Sequence, residues 1–300
     1  GKAHRDGSRR RGGRKVKTLS MGKANGAISI LHSLGLGKGS SIGIELITSV
    51  SIVGEKTEVK GDYHNLLGAV ESCWRNEGFP IPRDFGWEVQ SSIPIGQGLK
   101  SSSALASAAF RALDKFAWTG LSVSELADLS VKSQREAGCT VTGSMDDTWA
   151  SLDAGWKLVD PKLDALGSVI LQGEIEQDLA VLLAIRGRRK AQISGESFLE
   201  QRNIFERALA SVMSGSPLEA LSTNGMAVAS ATDDYEALRM SNSLIASGAI
   251  ASGISGSGPS LAVVCFNEDK ESLASKISEM GLQVISTRFV TPESVFEEAF

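Results

Sequence analysis

Apolar residues along the chain alternate between strand-like runs and helical spacing. Residues 27–34 and 43–53 are dense in isoleucine, leucine and valine and read as strands, joined by a turn with Gly35, Gly37, Gly39 and Ser40-Ser41. Residues 57–60 read as a further short strand. At 65–76, Leu66, Ala69, Val70 and Cys73 fall on one helical face, and the pattern stops near Gly78 and Pro80. Residues 87–92 alternate as a strand does. A serine cluster then opens an alanine-rich helix over 102–118, and Ser122 with Glu125 forms a capping box for the next helix, which runs to about Ala137. After residue 154 the texture changes. Residues 179–185 form a wholly apolar strand, followed by helices over 195–213, 217–229 and 235–246. A strand at 261–266, a helix at 270–280 and a strand at 283–289 complete the pattern. Strands and helices interleave without a regular βαβ beat, which predicts an α+β fold. Asp160-Pro161 is the expected division between two domains, 21–160 and 161–300.

With 300 residues, 42% of them hydrophobic and 22% charged, the chain has ample material for a core. Its longest apolar runs, 179–185 and 261–266, are too short to span a bilayer. No apolar stretch follows the basic start as in a secretory leader, so the cytoplasm is the expected compartment. Cys73, Cys139 and Cys265 are odd in number and form no C-x-x-C pair, which argues against a disulfide framework or structural zinc and for buried free thiols. His4, His32 and His64 are scattered and suggest no transition-metal centre. Residues 1–20 carry a net charge of +7, and the remainder −11. That leader is rich in glycine and arginine and lacks the aromatics on which single-stranded nucleic acids stack. We expect it to be disordered or vector-derived, with Met21 as the native start. An acidic body repels phosphate backbones, which argues against a non-catalytic nucleic-acid-binding module.

The segment richest in chemistry is 94–104, Pro-Ile-Gly-Gln-Gly-Leu-Lys-Ser-Ser-Ser-Ala. Gly96 and Gly98 allow a tight turn and close approach to a ligand. The small residues after them leave amides free at the first turn of a helix, where the dipole favours anions. Ser101, Ser102 and Ser103 add hydroxyls and Lys100 a charge, which together suit a phosphate. Leu99 before Lys100 excludes a Walker A loop, and Ser101 stands where a dinucleotide-binding loop needs its third glycine. Alone, the segment is equally a serine-capped helix. Two others accompany it: residues 139–147, ending in Asp146-Asp147, and residues 254–260, Ile-Ser-Gly-Ser-Gly-Pro-Ser, entering an apolar strand.

In this order the three segments resemble the GHMP kinase superfamily, over nearly all of 21–300. Its second motif, Pro-x-x-x-Gly-Leu-x-Ser-Ser-x-Ala, is matched by Pro94, Gly98, Leu99, Ser101, Ser102 and Ala104. Its third is matched by residues 255–260, and its first, loosely, by Gly22-Lys23-Ala24-Asn25. The resemblance implies an N-terminal domain with a mixed sheet and helices, and a C-terminal ferredoxin-like α/β sandwich. Lys100 inside the second motif, the Asp146-Asp147 pair after Gly143, and the turn at 37–41 resemble the archaeal-type shikimate kinases. Homoserine kinases, and more distantly mevalonate kinases, are the alternatives.

That resemblance implies transfer of the γ-phosphoryl group of ATP, with Mg²⁺, to the 3-hydroxyl of shikimate, a step towards chorismate and the aromatic amino acids. It assigns Asp146 as the general base or the carboxylate that orients the hydroxyl, and Lys23 as the cation that stabilises the attacking oxygen. Pro94, Gly96, Gln97, Gly98, Leu99, Lys100, Ser101, Ser102, Ser103 and Ala104 would form the nucleotide loop. Ser102 and Glu136 match metal-holding positions. Asp147, Ser255, Gly256, Ser257 and Gly258 would border the substrate, where Asp147 either shares the base role or caps the following helix. Shikimate carries a carboxylate and calls for an arginine clamp; Arg135, Arg186, Arg188 and Arg189 are the candidates, with Arg135 placed in the substrate site.

Overall fold

The computed structural model describes residues 16–298 apart from 141, 143 and 189–192. Residues 1–15 of the leader, Gly143 and Arg189 lie outside the described residues. In chain order the elements are β1 (Thr18–Leu31), α1 (Ser33–Leu36), β2 (Gly39–Val53), α2 (Leu66–Asn76), β3 (Gly86–Ser91), α3 (Ser101–Ala117), α4 (Val123–Glu136), α5 (Met145–Leu152), β4 (Trp156–Val159), α6 (Ala165–Ser168) and β5 (Val169–Gly173). There follow β6 (Leu179–Ile185), α7 (Gly195–Glu200), α8 (Arg202–Met213), α9 (Pro217–Ala231), α10 (Tyr235–Ala246), β7 (Ala251–Ile254), β8 (Leu261–Phe266), α11 (Lys270–Glu279), β9 (Gln283–Arg288) and α12 (Pro292–Glu298). The fold is α+β.

Two sheets organise these elements. The first has the order β1-β2-β4-β5, with β3 also paired to β2; the second has the order β7-β8-β6-β9. Every strand pairing is antiparallel, where a mixed N-terminal sheet was expected. Fifteen-residue β2 makes the first sheet possible: its two ends serve different partners, β4 at Gly39 to Ile42 and β3 at Thr48 to Val53. The wholly apolar β6 lies between β8 and β9, so both faces and both edges are covered, which is why its sequence shows no alternation.

Four sequence expectations change. Strand β1 begins at Thr18, and Ser20 Oγ donates to Ala112 O at 2.7 Å, so the boundary at residue 20 falls inside a strand. Residues 57–60 form no strand; Thr57 Oγ1 donates to Trp87 O, and the chain then loops towards Asp62, which caps α2 by accepting from the Leu66 and Leu67 amides at 2.8 and 2.9 Å. The 160/161 division separates β4 from its partner β5, so the sheets themselves divide between Gly173 and Leu179. The helix expected over 195–213 is two, α7 and α8, meeting at Gln201. Cys73 and Cys265 are buried thiols, whereas Cys139 is only half-buried.

Alanine explains how close α3 lies to the first sheet. Ala104, Ala106, Ala108, Ala109 and Ala112 are all fully buried, and a Cβ on Gly22 of β1 would come within 2.2 Å of Ala108 O. Backbone therefore meets backbone, which fixes where α3 starts relative to β1 and β2. The two halves meet through α9, whose Asn224 Oδ1 accepts from the His32 amide at 2.9 Å, and through a bridge between Ile44 and Phe289.

Candidate active site

Two helices start at the same place. The N-caps of α3 and α5, Lys100 (φ 65) and Ser144 (φ 55), both adopt the left-handed conformation that non-glycine residues seldom hold. The turn at Lys100 brings its Nζ to 3.0 Å from Asp147 Oδ1 in the first turn of α5. Ser41 Oγ, on β2, lies 2.7 Å from Asp146 Oδ2 and 3.0 Å from Asp147 Oδ1, and Ser33 Oγ lies 3.4 Å from Asp146 Oδ1. A buried chain thus runs Lys100, Asp147, Ser41, Asp146, Ser33. The two carboxylates cannot ionise equally in such confinement. Burial and the neighbouring Asp147 push Asp146 up to about 7. Burial also opposes charge on Asp147, but Lys100 outweighs it and holds Asp147 below the usual carboxylate range. Burial disfavours the Lys100 cation too, yet Asp147 and Asp146 together raise it.

Two cavities adjoin this chain. The larger, about 400 Å³, is lined by the loop 59–64, Val89, Ile95, Gly96, Gly98 and the serines Ser101, Ser102 and Ser103. The smaller, about 240 Å³, is lined by His32, Ser33, Asp146, Gly256, Ser257 and Gly258 among others. Lys100, Asp147 and half-buried Cys139 border both. The first α3 hydrogen bond runs from the Ala104 amide to Lys100 O, so the amides before it have no partner within the helix.

The second and third motifs fit against each other. Ser255 Oγ donates to Gly98 O at 2.8 Å and accepts from the Ser29 amide, and the Gly256 amide donates to Ser29 Oγ at 3.0 Å. Gly98 (φ +78) touches Ser255 so closely that a Cβ would stand 2.1 Å from its carbonyl oxygen. Gln97 binds the backbone of Arg186 through both ends of its amide, so it fastens the loop to the end of β6. Leu99 and Ala104 are core residues, Ser103 Oγ donates to Gln134 Oε1, and Pro94 lines neither cavity.

Three expected site residues lie elsewhere. Lys23 sits opposite Ser49 in the β1–β2 ladder, whereas Ser41, the partner of Asp146, sits opposite Ser29. Eight residues of strand, roughly 25 Å, separate the two levels, beyond a lysine's reach. The Lys23 carbonyl instead accepts from Arg111 Nη1, and the motif around it serves the packing of α3. Glu136 is exposed and meets Cys73 Sγ at 3.5 Å; the helical twist turns Gln134, two residues earlier, inward to Ser103 and Thr148. Arg135 is exposed and donates to Pro161 O. Of the other arginines, Arg186 donates to both Asp234 oxygens and to Pro259 O, while Arg188 lines a neighbouring cavity of about 570 Å³ that reaches Ser257. Sequence reasoning missed His32, Ser33 and the loop 59–64. Only Ser40-Ser41 carried a signal, through the turn at 37–41.

Residues 64–155 match the GHMP kinases N terminal domain family. A shikimate kinase of Thermococcus kodakarensis is 30% identical over 278 residues, covering 88% of this chain and 97% of its own. The chain belongs to the GHMP kinase family. A shikimate kinase of Pyrococcus furiosus is 28% identical, with 89% and 98% covered. The solved mevalonate kinase of Methanococcus jannaschii shares the fold with a TM-score of 0.70 at 14% identity, covering 94% of this chain and all of that one. This kinase is thus an ATP-dependent enzyme that phosphorylates a small molecule. No helix among the described residues is long and apolar enough to cross a membrane.

Proposed function

We propose that this kinase transfers the γ-phosphoryl group of ATP to the 3-hydroxyl of shikimate. The observation that carries the reading is the Lys100–Asp147–Ser41–Asp146 chain at the junction of two cavities, in a chain similar over most of its length to the shikimate kinases of Pyrococcus furiosus and Thermococcus kodakarensis. The larger cavity takes the nucleotide, with the triphosphate on the free α3 amides and the base beside Val89 and Ile95. The smaller takes the acceptor; its 240 Å³ suits a compact metabolite better than a drug-sized ligand.

Asp146 takes the proton of the acceptor hydroxyl as its oxygen bonds to the γ-phosphorus and the bond to the ADP oxygen breaks. Its raised pKa, about 7, suits a base that must both hold and release a proton near neutrality. Asp147 and Lys100 have separate duties. Asp147 keeps the ammonium in place, and Lys100, at the border of both cavities, neutralises charge on the transferring group. Arg188, which lines the cavity of about 570 Å³ that Ser257 also borders, is the arginine we assign to the acceptor carboxylate, because the Arg186 fork is already engaged by Asp234.

A divalent ion fits the nucleotide cavity only in part. Ser102 offers a hydroxyl there, but Glu136 points away, and no cluster of three or more metal-binding side chains exists among the described residues. Mg²⁺ would rest on phosphate oxygens, water and Ser102, and would supply further charge neutralisation. The test is a coupled ADP-release assay with shikimate, homoserine and mevalonate as acceptors. Shikimate should be phosphorylated at the 3-position. Turnover of homoserine with none of shikimate would overturn the assignment.

A further inference from the structure

His32 is held on four sides by four parts of the chain. Its backbone amide donates to Asn224 Oδ1 on α9 at 2.9 Å. Its ring Nδ1 accepts from the Leu34 amide at 3.1 Å and so caps α1. Its Nε2 lies 2.8 Å from Ser257 Oγ in the third motif, and its ring packs at 4.8 Å on Phe198 of α7. The next residue, Ser33, reaches Asp146. One imidazole therefore links both sides of the smaller cavity.

The hydrogen bonds also fix where the protons are. A backbone amide can only donate, so Nδ1 must present its lone pair to Leu34. In the neutral ring the proton then resides on Nε2, which donates to Ser257 Oγ. Ser257 accepts that bond on one of its two lone pairs, so its own O–H cannot be directed at Nε2 and is left to point elsewhere. Ser257 is half-buried and borders the smaller cavity, as His32 does, and neither borders the nucleotide cavity.

We propose that His32 is a positioning residue for acceptor recognition: locked as the Nε2–H tautomer, it turns the Ser257 hydroxyl into a dedicated donor to an anionic oxygen of the acceptor. This rests on reading the smaller cavity as the acceptor site. The device adds specificity, because an acceptor without that anionic group leaves a pre-oriented donor unpaired. His32 acts through Ser257 and does not itself move a proton in the reaction.

The tautomer is read by ¹⁵N–¹H NMR on histidine-labelled protein. The chain has only three histidines, so His32→Asn assigns the signal. A lone-pair Nδ1 and a protonated Nε2 are expected, and a protonated Nδ1 in the neutral ring overturns the proposal. This readout needs no substrate and stands even if shikimate is not the acceptor. The functional arm uses the best-turned-over acceptor of the three above. Ser257→Ala and His32→Asn, whose amide oxygen can still cap Leu34, should each raise the acceptor KM about tenfold or more, while the KM for ATP stays within about twofold. Combined, they should do no more than Ser257→Ala alone. Additive effects, or an ATP KM that rises in step, would refute it. Ser257→Ala removes only a half-buried hydroxyl, so the test survives if His32→Asn fails to fold.

Discussion

Replacing Asp146 by asparagine should make the protein more stable above neutral pH while it disables the enzyme. Asp146 is almost fully buried beside Asp147, and its pKa rises from 3.8 to about 7. A carboxyl group whose folded pKa is raised stabilises the fold fully below about pH 4, and that contribution is lost as pH rises through about 7. At about 1.4 kcal/mol per unit, the shift corresponds to a ceiling of about 4 kcal/mol. Because Asp146 and Asp147 share one field, an observed gain of about 2 kcal/mol at pH 8 is expected. Asparagine keeps an oxygen for Ser41 and removes the repulsion with Asp147, at the loss of the weaker attraction between Asp146 and Lys100, while the Lys100–Asp147 contact is retained. Urea denaturation of both proteins at pH 5 and pH 8 measures the difference, with the slope checked for equality. The gain at pH 5, where the native carboxyl is mostly protonated but the unfolded one is ionised, should be less than half of that at pH 8. Equal differences at the two pH values, or a variant less stable at pH 8, would refute the reasoning. In the native enzyme, kcat/KM should rise with pH through about 7. The variant should lose about 10²-fold or more in kcat, with ATP affinity little changed.

Gly98→Ala should cost about 3 kcal/mol or more, since its Cβ would strike Ser255 O at 2.1 Å. Gly96→Ala, at φ +72 with nothing within 4 Å, should cost only about 1 to 2 kcal/mol of left-handed strain; thermal melts compare the two. Lys23→Ala and Glu136→Gln should keep near-native kcat and an unaltered Mg²⁺ dependence, whereas Ser102→Ala should require more Mg²⁺ for half-maximal turnover, read from metal titrations of initial rates. Arg188→Ala should raise the acceptor KM about tenfold or more, and Arg135→Ala should leave it unchanged in the same assay.

Much of this was legible without coordinates. The helical spacing of residues 65–76, the capping box of Ser122 and Glu125, and the unbroken apolar run of β6 are local signals, and each formed as read. So did the turn at 94–104, because a glycine at positive φ and a serine-rich helix start depend on neighbours in sequence. The motif at 22–25 was misleading for the opposite reason. Glycine and alanine there satisfy close packing against α3, and a lysine beside them looks the same in sequence whether or not it faces a site.

Helical phase decided between Glu136 and Gln134. Two residues on a helix differ by about 200° in direction, and only the position of α4 against α3 and α5 says which one looks inward. The separate states of Asp146 and Asp147 were also beyond the sequence, where they are an undifferentiated pair. Sequence alone established the residue types, the turns and the family resemblance. Tertiary structure chose Lys100 over Lys23 as the cation beside the carboxylates, and brought His32 to Ser257 across 225 positions of chain. Turns and caps are set by dihedral preferences of adjacent residues. Charge pairing and proton placement depend on distance and burial, and these exist only once the sheets and helices have packed.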